Sequence, residues 1–148
     1  MIVENRKAKF DYEIIEDFES GIVLSGAEVK SVRNGGATMT GARVVFEDSG
    51  AYVIGMNIPR YRHDSAEEYV ADKKRKLLLH RKEIIEIQTK MRSAGLTVVP
   101  IALYNKGSLV KVKIALVRGK KKFEKREVLK KRESQLGIAR RLKLTTER

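Results

Sequence analysis

The stretch that decides the fold is residues 96–117, which read LTVVPIALYNKGSLVKVKIALV. Two β-rich runs, residues 96–104 and 109–117, flank the residues Asn-Lys-Gly, and a glycine in so short a connection is typical of a β-hairpin. Over residues 110–114 apolar residues alternate strictly with lysine. One face of this strand is therefore predicted to meet a core while the other carries positive charge.

Two further patterns lie on the N-terminal side of this hairpin. Ile84, Ile87 and Met91 are spaced as on one face of a helix, which we predict over residues 81–93 with Gly95 ending it. Residues 43–47 and 51–54 are apolar runs joined by Asp-Ser-Gly, which predicts a second hairpin.

The remaining segments complete a mainly β domain. Residues 12–18 and 21–25 favour two strands, residues 26–33 a short helix, residues 5–9 a basic arm and residues 57–76 a long exposed loop. The total is six strands with one or two helices. Few short antiparallel strands of this kind usually close into a barrel, and we predict a six-stranded antiparallel oligonucleotide-binding (OB)-like barrel.

Positive charge is concentrated at the C-terminal end. The 148 residues include 32 Lys and Arg against 19 Asp and Glu, a net charge of +13, and residues 118–148 alone hold 13 basic and 4 acidic residues. We therefore divide the chain into a barrel domain, residues 1–117, and a basic tail, residues 118–148. Such a tail is either a solubilising segment or a ligand for polyanions, and nucleic acid fits better than a membrane because Gly137 interrupts its few apolar residues.

Several classes of chemistry are not indicated. There is no cysteine for a disulfide, a thiolate metal site or a nucleophile, and neither His63 nor His80 has acids at a ligand-like spacing. Residues 119–122, Gly-Lys-Lys-Lys, lack the spacing of a phosphate-binding P-loop. No signal peptide or membrane span is apparent, so we expect a soluble, cytoplasmic protein without cofactor or metal.

The basic residues instead indicate a protein that binds a nucleic-acid backbone. They cluster at the N-terminal arm, at residues 73–82 and in the tail, and contacts of this type bind phosphate without reading sequence. Four aromatic residues are interleaved with these basic clusters: Tyr12, Tyr61, Tyr69 and Phe123. An aromatic side chain at such a position either stacks on a base or, more commonly, packs against other side chains of the protein.

The order of six short motifs resembles one known family, the SsrA-binding proteins, also called small protein B. These motifs are residues 5–8 (NRKA), 11–14 (DYEI), 21–33 (GIVLSGAEVKSVR), 75–80 (RKLLLH), 95–100 (GLTVVP) and 119–127 (GKKK followed by KRE). The resemblance covers nearly the whole chain. It implies an OB-like barrel that binds tmRNA, and a monomer that delivers this RNA to stalled ribosomes for trans-translation, where the tail enters the empty mRNA channel.

The resemblance also implies roles for individual residues. The RNA-binding residues carried over in this way are Asn5, Arg6, Lys7, Glu28, Lys30, Arg33, Lys76, Leu78 and His80. The ribosome-binding residues of the tail are Lys120, Lys121, Lys122, Phe123, Glu124, Lys125 and Arg126. The loop of residues 62–72 departs from the family pattern, and no contact is carried over to it.

Alternatives remain open at this stage. A carboxylate binds phosphate poorly, so Glu28 either accepts hydrogen bonds from a base or ribose, or pairs with a nearby Lys or Arg on a short helix. His80 is interpreted as a capping or RNA-facing group. The rival functions are a ribosomal or single-strand-binding barrel protein, which needs more stacking aromatics, and an RNA-processing nuclease, which needs clustered acids or a histidine pair.

Overall fold

The computed structural model describes residues 2–62 and 68–119, which form seven strands and three helices. In chain order they are β1 (Val3–Glu4), α1 (Arg6–Asp11), β2 (Tyr12–Ile22), α2 (Gly26–Arg33), β3 (Arg43–Glu47), β4 (Gly50–Ile54), β5 (Arg75–Leu78), α3 (Arg81–Ala94), β6 (Thr97–Lys106) and β7 (Leu109–Gly119).

The strands form one sheet in the order β1-β6-β7-β2-β5-β4-β3. Within the described residues, hydrogen bonding leaves β1 and β3 as the two ends of this sheet, so the sheet is open. The predicted hairpins β3–β4 and β6–β7 are confirmed, with antiparallel register from Arg43↔Ile54 and from Thr97↔Val117. Helix α3 also forms as predicted, and Gly95 ends it in the left-handed conformation at φ 63°.

Most apolar side chains lie in one core to which both larger helices and most strands contribute. Val32 of α2 and Ile87 of α3 are fully buried there with strand residues such as Val53 and Val112. A second, smaller cluster lies under α1, where Ala8 packs with residues of β6 and β7. The hairpin β6–β7 is thus covered on both faces, which explains why its alternation gives way to continuous apolar residues over 114–117.

The predicted count of six strands is corrected to seven for three reasons. The strand predicted at 12–18 and the first two residues of the one predicted at 21–25 belong to one strand, β2, because Gly21 continues the ladder opposite Leu78. Residues 23–25 follow the strand and lead to α2. Strand β1 was not predicted, since it has only two residues. Strand β5 was predicted as loop because a cluster of four basic residues does not resemble a buried strand, although Arg75 is only 2% exposed.

The basic arm predicted at residues 5–9 is also corrected. Residues 6–11 form the helix α1, and the Asn5 side chain caps it by accepting a hydrogen bond from the Ala8 N–H at 3.1 Å. The Asn5 amide donates to the carbonyls of Met39 and Pro100, at 3.1 and 2.8 Å. This buried asparagine therefore fixes the start of the chain to the β6 strand.

Candidate nucleic-acid interface

Strand β5 presents two of the predicted RNA-binding residues on its outward face. Its side chains alternate, since Arg75 and Leu77 are buried whereas Lys76 and Leu78 are exposed. The strand lies between β2 and β4. Lys76 and Leu78 therefore project from within the sheet and not from one of its edges.

The exposed position of Leu78 depends on a glycine in the neighbouring strand. Gly21 of β2 is directly opposite Leu78 in the antiparallel register. A Cβ atom on Gly21 would lie 3.0 Å from the Cβ of Leu78, which is tighter than most real Cβ contacts. The missing side chain therefore lets Leu78 lie against β2 while remaining 57% exposed.

An aromatic ring and a second lysine extend this face toward β4. Tyr52 is the register partner of Lys76, and the Lys74 Nζ lies 4.5 Å from the centre of its ring. Lys74 also donates to a carboxylate oxygen of Glu47 at 2.6 Å. This hydrogen bond raises the pKa of Lys74, so the ammonium stays charged. Positive charge, an aromatic ring and an exposed leucine thus share one outward surface.

His80 follows β5 directly and begins α3. It is the N-cap residue, and its backbone N–H donates to the Glu83 carboxylate at 3.1 Å. Its side chain is exposed. The capping interpretation is therefore correct for the backbone of His80, while its imidazole is on the surface near the end of β5.

On the inward face of β5, Arg75 holds several segments together. Its Nε donates to Glu28 at 2.7 Å, and its two terminal nitrogens donate to the carbonyls of Met56, Lys73 and Ala71 at 2.8–3.1 Å. Both side chains of the Arg75–Glu28 pair are almost completely buried. One guanidinium thus joins α2, the segment after β4 and the segment before β5.

Glu28 uses its carboxylate within the fold. One oxygen accepts from the backbone N–H of Ser25 at 3.0 Å, and Ser25 in turn caps the Glu28 N–H, which is the reciprocal arrangement of a capping box. Burial raises the pKa of Glu28. The Ser25 N–H, Arg75 and Lys73 lower this pKa by more than burial raises it, so the net pKa is below the ordinary value. The side chain is 2% exposed, so the structure has the ion pair that was the alternative to an RNA contact.

The other two predicted residues of α2 are on its surface. Lys30 is exposed, and its Nζ lies 5.4 Å from the centre of the Tyr61 ring. Arg33 is also exposed, yet it donates to the Asn105 side chain at 3.3 Å and to the Ser108 carbonyl at 2.7 Å. Arg33 therefore ties α2 to the β6–β7 turn and leaves only part of its guanidinium for a ligand.

The N-terminal residues divide in the same way. Asn5 is buried, as described above, whereas Arg6 and Lys7 are exposed in the first turn of α1. Lys7 pairs with Asp11 one turn later at 3.3 Å. Exposed pairs of this type stabilise a helix by only a few tenths of a kcal/mol. Lys7 can therefore leave Asp11 and pair with another anion at little cost in free energy.

A comparison with known families decides what the chain is related to. The family model described as SmpB protein matches residues 2–144. The chain belongs to the SmpB protein family. Two curated relatives, both named SsrA-binding protein, are each 42% identical to it. The Streptomyces coelicolor protein aligns over 90% of this chain and 84% of its own length, and the Mycoplasma mycoides protein over 91% and 92%.

A solved structure of the SmpB family has a similar fold. The matching chain comes from a structure described as "tmRNA-SmpB: a journey to the center of the bacterial ribosome". It is 43% identical, with a TM-score of 0.67 over 81% of this chain and 85% of its own. The fold of the described residues is therefore one that a member of the SmpB family adopts.

The family motifs are distributed over three places on the described domain. Lys76, Leu78 and His80 lie on one segment, Lys30 and Arg33 on the outer side of α2, and Arg6 and Lys7 at the start of α1. The buried hydrogen bond between Glu28 and Arg75 connects α2 with β5, and so connects the first two of these places. The predicted tail residues, Lys120 to Arg126, lie outside the described residues, as does His63.

Metal-binding clusters and membrane-spanning helices are both absent from the described residues. Over residues 2–62 and 68–119 no group of three or more His, Cys, Asp or Glu side chains could hold a metal ion. Within the same ranges no helix is long and apolar enough to cross a membrane.

Two acids line one groove of the described domain. Asp17 and Glu19 border a groove of about 590 Å³. Glu19 accepts hydrogen bonds from Tyr104 and Lys106, which lower its pKa. A general acid needs a carboxyl whose pKa is raised toward neutrality, and Glu19 has the opposite shift.

Sequence reasoning missed Arg75 and Tyr52 as parts of this interface. Arg75 was predicted to lie in an exposed basic loop. Because side chains two residues apart in a strand lie on the same face, the position of Arg75 two residues before Leu77 was the signal that both point inward. Tyr52 was assigned only to a hairpin strand. Two of the tyrosines considered for stacking have structural contacts instead, since Tyr69 donates to the Ile58 carbonyl at 2.6 Å and Tyr12 packs on the second core.

Proposed function

We propose that this protein binds tmRNA and delivers it to stalled ribosomes for trans-translation, as an adaptor in the cytoplasm without catalytic activity of its own. The observation that carries this proposal is the family match over residues 2–144, since the relatives that align with it are named for binding SsrA RNA. The partners are therefore tmRNA and the ribosome. A monomer suffices for this role, and it needs no cofactor.

Within that function, we propose that exposed and buried site residues play different parts. The exposed residues contact RNA directly: Arg6, Lys7, Lys30, Arg33, Lys76, Leu78 and His80. The buried residues Asn5 and Glu28 act by position, because Asn5 fixes α1 and Glu28 fixes β5 through Arg75. Lysines bind the backbone as point charges, whereas Leu78 and Tyr52 offer apolar surface to an unpaired base.

An OB-like arrangement of the sheet supports this use of the surface. β3 approaches β6 to within 8 Å between Cα atoms, although the two are not hydrogen-bonded neighbours. We interpret this approach as strong curvature that brings the ends of the open sheet together, as in a partly open OB barrel. Nucleic acid is bound on the outer faces of such barrels.

We assign the second part of the function to the C-terminal tail. Residues 118–148 carry a net charge of +9, whereas the first 117 residues carry only +4. We propose a barrel domain, residues 1–117, for tmRNA and a tail, residues 118–148, for the ribosome. In the tail, Lys120 to Lys122 and Phe123 to Arg126 act in the mRNA channel, where a basic segment meets ribosomal RNA.

The salt dependence of binding tests the electrostatic part of this proposal. If several exposed Lys and Arg side chains neutralise phosphates, log K for tmRNA falls linearly with log salt concentration. We expect a slope of about −0.7 to −0.9 for each phosphate contacted. Filter binding or fluorescence anisotropy with transcribed tmRNA measures it, and a slope near zero would contradict phosphate contacts as the basis of binding.

A further inference from the structure

A positively charged recess lies beside the outer side of α2, where the chain enters the loop that departs from the family pattern. Its volume is about 330 Å³, and its described lining is Ser31, Asn34, Arg60, Tyr61 and Arg62. None of these described residues is acidic. Lys30, the residue before Ser31, places its ammonium 5.4 Å from the Tyr61 ring centre and adds a third cation at this place.

The base of the recess is held firmly to the domain. The Ser31 hydroxyl donates to the Pro59 carbonyl at 2.6 Å, and Ser31 is buried. Pro59 also packs against Gly36, where an added Cβ would lie 3.3 Å from the proline ring. Residues 60–62 therefore leave the domain from a fixed point next to the C-terminal end of α2.

The residue before Pro59 is fixed from the other side of the loop. Ile58 is fully buried, its N–H donates to the Ala71 carbonyl at 2.9 Å, and its own carbonyl accepts from Tyr69. Ala71 also accepts from the buried Arg75. The Arg75–Glu28 pair thus supports the base of this loop as well as β5.

The cations have a local reason to gather at this end of α2. The C-terminal carbonyls of a helix attract positive charge, and Asn34 is the C-cap residue of α2. Arg60 and Arg62 each take part in another interaction within the protein. A guanidinium has five N–H donors, however, so an interaction within the protein does not by itself prevent it from donating to a second acceptor.

Resting on the proposed function, we propose that Lys30, Arg60 and Arg62 form an additional RNA subsite that binds two consecutive backbone phosphates of tmRNA. Phosphate is the ligand that several convergent N–H donors around a polar recess suit best, and Arg binds it in a bidentate way. Contacts of this kind are independent of sequence. The subsite extends the surface of α2 away from β5.

The test compares the salt dependence of tmRNA binding between two charge-matched variants. In the first, Arg60→Gln and Arg62→Gln remove two cations from the recess. The control, Lys90→Gln with Arg92→Gln, removes two cations from α3, where Lys90 pairs only with surface acids in the described residues. Both variants lose the same net charge, so they differ only in place.

We expect the slope of log K against log salt to become less steep by about 1.4–1.8 in the recess variant and to stay unchanged in the control. Between 50 and 200 mM salt, wild type then loses about 7- to 12-fold more affinity than the recess variant. Arg60→Lys with Arg62→Lys keeps the charges and should restore most of the slope. Thermal midpoints measured for all proteins show whether each is folded.

Three outcomes would overturn the subsite. The recess variant could retain the wild-type slope, or the control could lose as much slope as the recess variant, which would assign the effect to net charge. The recess variant could also bind tmRNA normally but lose ribosome association, which would assign the recess to a different partner. Failure of wild type to bind tmRNA at all would instead contradict the proposed function.

Discussion

Replacing Glu28 with alanine is expected to lower the free energy of unfolding by about 3–5 kcal/mol. The substitution leaves the buried guanidinium of Arg75 without its anion, and removing one partner of a buried pair carries a cost of this size. For a domain of this size the thermal midpoint should fall by about 6–20 °C. Chemical denaturation monitored by circular dichroism measures the free energy directly.

A matched control is available in an exposed pair of the same sheet. Glu47 pairs with Lys74 at 2.6 Å, with both side chains more than 40% exposed. Glu47→Ala should therefore cost about 0–1 kcal/mol. Equal losses in the two variants would contradict the stabilising role of the buried pair. A Glu28→Ala protein with a wild-type midpoint and weakened tmRNA binding would show that Glu28 acts as a direct RNA contact.

The difference in stability between wild type and the Glu28 variants changes with pH in a direction set by the pKa of Glu28. Because the pKa of Glu28 is lower in the folded protein than in the unfolded chain, its stabilisation is complete above the unfolded pKa. It is lost as the pH falls through the folded pKa. The difference in the free energy of unfolding between wild type and Glu28→Gln should therefore stay constant above the unfolded pKa of Glu28. It should become smaller only as the pH falls below that value.

Removal of residues 120–148 is expected to abolish tagging on stalled ribosomes while leaving tmRNA binding within tenfold of wild type. Strand β7 ends at Gly119, so every described strand and helix remains in the shortened protein. The deletion removes 12 basic and 4 acidic residues, but the exposed residues of α1, α2 and β5 are retained. Binding to transcribed tmRNA and an in vitro tagging reaction measure the two activities separately.

The shortened protein also needs a test of its fold. Its thermal midpoint should lie close to that of wild type, because the deletion leaves both apolar clusters complete. A loss of tmRNA affinity of tenfold or more, about 1.4 kcal/mol, would make the tail part of the main RNA site. Retained tagging would contradict the assignment of ribosome binding to Lys120 to Arg126.

The parts of the fold predicted correctly are those whose residues interact mainly with their neighbours in sequence. The hairpins carry glycine at their turns, α3 has regular apolar spacing and a glycine stop, and α2 begins with a serine three residues before a glutamate. Each signal is complete within about 15 residues. The strong local pattern of residues 96–117 was sufficient for β6 and β7.

The parts predicted incorrectly depend on contacts between distant segments. Nothing near Arg75 in sequence shows that Glu28, 47 residues away, neutralises it. Asn5 looks like part of a basic arm until Pro100, 95 residues later, accepts its hydrogen bond. Gly21 resembles a strand boundary, and only its partner Leu78 explains why the strand continues.

The candidate site shows the same division. Lys30, Lys76, Leu78 and His80, carried over as RNA-binding residues from the family motifs, are exposed, and their RNA contacts stay a prediction. Burial, which separates the exposed residues from the positioning residues Asn5 and Glu28, could not be predicted from motif order. The tail motif stays a prediction because it lies outside the described residues.

The central claim is that tmRNA is the RNA this protein binds, and the RNA that co-purifies with it tests this claim most directly. The full-length tagged protein would be isolated from a bacterium expressing it, and the bound RNA sequenced against total RNA. The comparison variant is Lys76→Glu, which reverses one charge on the exposed face of β5 and should lose the enrichment. The account predicts that tmRNA is the most enriched RNA with wild type. Equal recovery of unrelated RNAs, with no enrichment of tmRNA, would contradict it.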